Sequence, residues 1–118
     1  MPYIAFNTSK PMTPEQREAV KTELGRLISI LPTKSESGLM IDFSDSRPMY
    51  FRGLEAPSCA FMDVRLFGKS DNEAKKQFVG QVFRMVEHIL GIKSDEMFLN
   101  IVELDQWASS GGVLRFVE

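Results

Sequence analysis

The stretch KSESGLMI at residues 34–41 recurs half a chain later as KSDEMFLN at residues 93–100, a displacement of 59 in a chain of 118 residues. At the same displacement the segment from Gln16 to Leu31 falls on Lys75 to Leu90 without a gap. Local signals repeat with it. Thr13-Pro14-Glu15-Gln16 reads as a capping box, with proline at the first helical position. Ser70-Asp71-Asn72-Glu73 reads as the same device in the second half, with Ser70 as the cap. Behind the first cap, Val20, Leu24, Leu27, Ile28 and Leu31 form the stripe of a helix with one buried face. Behind the second, Val79, Val82, Phe83, Val86, Ile89 and Leu90 do the same, and Gly91 supplies a left-handed terminator. Runs of strand character flank each helix: Tyr3 to Phe6 and Leu39 to Phe43, then Ala60 to Phe67 and Met97 to Leu104. The pattern is βαβ twice, with pseudo-repeats at about 2–56 and 57–118 in a single domain spanning 1–118.

Two such units predict an α+β architecture, a four-stranded sheet with both helices on one face. Ile4, Phe6, Phe61, Val64 and Leu66 look too apolar for the other face to stay wet, which points to oligomerisation as its cover. Gly111-Gly112 reads as a hairpin turn, since no helix follows it.

Composition narrows the function classes. The chain is 43% hydrophobic and 25% charged with a net charge of −2, so no basic field argues for nucleic acid or an anionic membrane as partner. A single cysteine, Cys59, excludes an internal disulfide and a CxxC pair, and a single histidine, His88, leaves almost no material for a metal site. No metal and no cofactor are expected. The opening MPYIAFNTSKP has no basic region followed by a long apolar run, and the chain reads as soluble and cytoplasmic, a reading that does not exclude export without a signal peptide.

A Met-Pro start opening directly into a strand, a duplicated βαβ unit and this length together resemble the tautomerase superfamily, in particular its macrophage migration inhibitory factor and D-dopachrome tautomerase branch. The resemblance spans nearly the whole chain and is weakest between Phe43 and Pro57. It implies a homotrimer with each pocket at a subunit interface. It also implies roles: Pro2 as catalytic base, Lys34 as active-site lysine, and Phe67, Phe98, Asn100 and Phe116 as substrate contacts. Phe98 stands where the family has a tyrosine, so that hydroxyl is missing, and Cys59 with Met62 leaves the family's Cys-x-x-Cys segment incomplete.

The chemistry of these residues supports the implied roles. Once the initiator methionine is removed, Pro2 carries a free secondary amine. Burial or a nearby cation such as Lys34 would lower an α-amino pKa from about 7.7–8.0 toward neutrality. An acceptor poised there suits the 1,3-proton transfer between enol and keto forms. Lys34 could neutralise the carboxylate of a small-molecule substrate, and the phenylalanines could wall off water. Arg47, Arg52 and Arg115 read as solvated charges, and Trp107 as either a subunit contact or a pocket rim. The sequence thus leads to a keto–enol tautomerase acting on phenylpyruvate-type or related carboxylates. The alternatives are a cytokine-like binding protein with a vestigial pocket, or a proline-dependent hydratase or dehalogenase of an unsaturated acid, for which Arg52, Arg65 and Glu103 are raw material.

Overall fold

The computed structural model describes residues 1–118. Strand β1 (Pro2–Thr8) leads through Thr13 into helix α1 (Pro14–Leu27), which tightens into a 3-10 turn over Ile28–Ile30 before β2 (Met40–Ser44). A small hairpin follows, β3 (Tyr50–Phe51) and β4 (Leu54–Glu55). The second unit runs β5 (Ala60–Phe67), α2 (Asn72–Leu90) and β6 (Met97–Leu104), and the chain closes with the hairpin β7 (Gln106–Ser109) and β8 (Val113–Phe116). The main sheet has the order β2-β1-β5-β6. β1 runs parallel to β2, β5 parallel to β6, and the two units join antiparallel through β1 and β5. This is the α+β sheet with two helices expected from the pattern.

The first cap forms as expected: Thr13 Oγ1 accepts from the Gln16 amide at 3.1 Å, and Gln16 Oε1 accepts from the Thr13 amide at 2.9 Å. The second does not form at Ser70. The cap is Asp71, whose carboxylate accepts from the Ala74 amide at 2.8 Å. With Asp71 as cap the N3 residue is Ala74, which has no side chain to complete a box. Gly91 ends α2 at φ 70°.

That displaced cap exposes an error of register in the internal match. Thr13 and Asp71, Pro14 and Asn72, and Glu36 and Ser94 at the starts of equivalent 3-10 turns are each 58 apart, not 59. Burial agrees with 58: Ile4 and Phe6 correspond to Met62 and Val64, all within 1% of full burial. The buried stripe of α2 is accordingly Phe78, Val82, Met85, Val86 and Leu90, while Val79, Phe83 and Ile89 are only partly buried.

The strands alternate strictly, β1 burying every odd member from Pro2 to Thr8. Ile4, Phe6, Val64 and Leu66 therefore point into the helix layer, where they join Leu24, Ile28, Phe78 and Val86 in the core. Of the five residues expected on the open face, only Phe61 lies there, 37% exposed. The open face is instead largely polar, carrying Tyr3, Asp42, Asp63, Arg65 and Asn100 along its rows.

Candidate active site

Pro2 is buried at the first position of β1, paired with Leu66 of β5. It borders an open cavity of about 860 Å³. Tyr3 and Met40 on adjacent strands, Arg65 on β5 and Leu104 at the end of β6 form one side. Trp107 to Ser110 and Arg115, all from the β7–β8 hairpin, form the other. The hairpin closes on itself: the Val117 amide donates to the Asp105 carbonyl at 2.8 Å, and Trp107 and Arg115 are cross-strand partners. Ser110, Gly111 and Gly112 all turn with positive φ, the backbone this tight reversal requires.

Met1 precedes Pro2, so the Pro2 nitrogen is here an amide nitrogen without a basic lone pair. Met1 lies in the cavity, its sulfur accepting from Ser109 Oγ at 3.3 Å. Its α-amine reports the electrostatics one residue from Pro2. Burial first, and then the charge of Lys34, hold that amine below the ordinary α-amino range. A cation and partial burial thus act at the site where a processed Pro2 would carry its amine.

Lys34 reaches this region from the connection after the first helix. Its amide donates to the Leu31 carbonyl at 3.1 Å, and its ammonium donates to the Phe67 carbonyl at 2.7 Å. Burial pushes its pKa below the usual lysine range, and Glu103 opposes that shift. Lys34 stands behind the cavity wall rather than on it. The cations that do line the cavity are Arg65 and Arg115. Arg65 donates to Asp63 Oδ2 through Nε at 3.3 Å and Nη2 at 3.1 Å, whereas Arg115 makes no hydrogen bond or ion pair. No carboxylate lines the cavity.

The expected substrate contacts fall into two groups. Phe67 is half-buried next to Pro2's partner Leu66 and contributes its carbonyl to Lys34, but its side chain is off the cavity wall. Phe116 is 63% exposed and, by strand alternation, turned away from the face that carries Arg115. Phe98 and Asn100 lie toward the far end of the sheet. Pro2 is in row with Leu66 and Glu103, which puts Asn100 about 10 Å and Phe98 about 17 Å down the strand. Phe98 is 57% exposed there, edge-on to Phe51 at 5.3 Å and to Phe61 at 6.5 Å. Within one chain these two residues do not meet Pro2.

The sequence reading took Arg115 as a solvated charge, and it is exposed, but it also lines the cavity with Trp107, which that reading left undecided. Both reach the cavity through the docking of a terminal hairpin, which no local periodicity encodes. Arg65 had a usable signal: it follows an apolar residue on a strand of strict alternation, so it had to face the open side. No three His, Cys, Asp or Glu side chains converge as a metal-binding group, and no helix is long and apolar enough to cross a membrane.

The sequence alone matches no protein-family model and no curated protein. Its structure, by contrast, is similar to solved structures along nearly its full length. MIF2 of Leishmania major superposes with a TM-score of 0.85 at 20% identity, over 95% of this chain and 96% of that one. Pt0534, solved after inactivation by 2-oxo-3-pentynoate, gives 0.84 at 9% identity, over 94% of each chain. A fused 4-OT, solved as an asymmetric trimer, gives 0.81 at 13% identity, again over 94% of each. These are tautomerase-superfamily structures, and the fold of this chain is the fold of that superfamily.

Proposed function

We propose that this protein is a keto–enol tautomerase of the superfamily whose fold it shares, acting on a small carboxylate-bearing substrate with Pro2 as base. The observation that carries the reading is the position of Pro2: buried at the cavity edge, where burial and Lys34 already depress the neighbouring α-amine. Removal of Met1 frees the Pro2 nitrogen as a secondary amine, whose neutral form burial and the Lys34 charge would favour. That nitrogen takes the enol proton and returns a proton to the substrate carbon, so the enzyme ends each cycle unchanged. Arg65 and Arg115 on the wall suit the substrate carboxylate, and Met40, Leu104 and Trp107 suit its apolar body.

The same reading makes the active assembly a homotrimer. Phe98 and Asn100 then serve the pocket of a neighbouring subunit, and Phe67 and Phe116 frame the subunit boundary around their own. Support comes from the exposure of Phe98, Tyr50, Leu54 and Phe116, large apolar side chains that a single chain leaves uncovered. The two hairpins, each a separate two-stranded sheet, offer further unpaired edges.

The paired arginines favour a second reading, proline-dependent hydration or dehalogenation of an unsaturated acid. That chemistry needs a group to activate water, and no carboxylate of the chain itself lines the cavity. The test is the ketonisation of phenylenolpyruvate followed by ultraviolet absorbance, on protein shown by intact mass to begin at Pro2. Acceleration that Pro2→Gly reduces at least about a hundredfold is expected. A correctly processed protein with no acceleration on this or related enols would transfer the assignment to the binding-protein reading.

A further inference from the structure

One charged cluster beside the cavity takes no part in lining it. Glu103 of β6 lies in the same cross-sheet row as Leu66 and Pro2. Its Oε1 accepts from Lys75 Nζ of α2 at 2.8 Å, and its Oε2 accepts from the Ser70 amide at 2.6 Å. The Lys75 and Glu103 side chains are 21% and 17% exposed, whereas every other ion pair in the molecule has at least one partner half exposed or more. Such a partly buried pair is a weak source of stability, because desolvation offsets much of the attraction. Its location points to a different use.

The turn between β5 and α2, Phe67 to Ser70, is pinned at three points. Lys34 holds the Phe67 carbonyl, the Leu104 carbonyl accepts from the Gly68 amide at 2.9 Å, and Glu103 holds the Ser70 amide. Glu103 and Lys34 thus grip opposite ends of one four-residue turn. We propose that Glu103 is a positioning residue for Lys34: bonded to Lys75 and to the Ser70 amide at one end of the turn, it holds a fixed anion across from the ammonium that the Phe67 carbonyl anchors at the other end. The catalytic meaning of this arrangement rests on the tautomerase reading, but the arrangement itself does not.

The charged groups facing Glu103 are Lys75 from α2, Lys69 from the turn and Lys34 from the connection after α1. Burial pushes the Glu103 carboxyl up, and the bonds from Lys75 and Ser70, with the charges of Lys75 and Lys69, outweigh it and hold the group below its ordinary value. Glu103 is therefore an anion throughout the range in which Lys34 titrates. Its charge counters the burial that drives protons off Lys34.

The experiment is a titration of the Lys34 side chain by NMR in lysine-labelled protein, for the unaltered chain, Glu103→Gln and Lys75→Met. Glu103→Gln keeps a carbonyl acceptor for the Ser70 amide and removes only the charge. The Lys34 midpoint is expected to fall by about half a unit to one unit in Glu103→Gln, and to hold or rise in Lys75→Met, where Glu103 loses its competing cation. Opposite responses identify an electrostatic role, because loosening of the turn would move Lys34 the same way in both variants. An unchanged or raised midpoint in Glu103→Gln, or a fall in both variants, overturns the proposal. In active protein the alkaline limb of kcat/KM should follow the Lys34 midpoint. A chain that shows the NMR shifts without ketonising any enol would sink the tautomerase reading and leave the Glu103–Lys34 coupling standing.

Discussion

At the scale of single residues, the account turns on which cations act on the cavity and how. Lys34 acts through its field, so Lys34→Ala is expected to raise the Pro2 amine pKa and move the acid limb of kcat/KM to higher pH. The sign follows from the loss of a cation that favours the neutral amine. Arg115 lines the cavity, and the proposed role for it is direct contact. Arg115→Ala should raise KM for carboxylate substrates about tenfold, the weight of one charge-assisted hydrogen bond. Thermal unfolding should stay unchanged, because this exposed side chain bonds to nothing else. Pro2 and Lys34 could be placed from the sequence, at a strand start and after a helix end, while their roles came from the family resemblance alone. Arg115 could not be so placed, since its position depends on how a hairpin docks against the rest of the chain. Phe98 was found as a residue of interest, but a single chain shows it only as an exposed ring against Phe51 and Phe61.

Among the elements, the two helices and four main strands could be read from caps and periodicity, and the slip of one residue in the internal match shows where such reading fails. The similarity of residues 34–36 to 93–95 lies in polar connections, where burial places no constraint on register. The strands do constrain it, because a shift of one residue turns every side chain to the other face. Two other misplacements were independent of that slip: the cap was set at Ser70, one residue before Asp71, and four core residues were set on the open face although strand alternation turns them toward the helices. Capping gives a direct check. Thr13→Ala and Asp71→Ala should each cost about 1 kcal/mol in denaturant unfolding. Ser70→Ala should cost little, since Ser70 offers Glu103 its backbone amide, which alanine retains. The hairpin β3–β4 left no such signal: two-residue strands are too short to show any period.

For the whole molecule, the feature to explain is an incomplete surface: a polar open sheet face, a far end rich in exposed aromatic rings, and two hairpins outside the main sheet. The proposed homotrimer would account for all three, and native mass spectrometry should then find a species of about three times 13.4 kDa. A monomer at micromolar concentration would remove Phe98 and Asn100 from the site. Acid stability also belongs to this scale. The Glu103 carboxyl is depressed in the folded state, so its contribution is full above its unfolded pKa of about 4.3 and is lost as pH falls through the lower folded value. Unfolding followed from pH 6 to 2 should show that loss, and Glu103→Gln should flatten it.

The proposed nucleophilic Pro2 amine, with its pKa lowered by burial and by Lys34, can be tested without knowing the natural substrate. An acetylenic 2-oxo acid such as 2-oxo-3-pentynoate presents a conjugated alkyne that a free amine attacks. The measurement is the rate of its covalent attachment against pH, with the site located by peptide mass on protein that begins at Pro2. The account predicts an adduct on Pro2 and a midpoint well below the ordinary α-amino value of about 7.7–8.0. No adduct on Pro2, or a midpoint at or above that ordinary value, would contradict it.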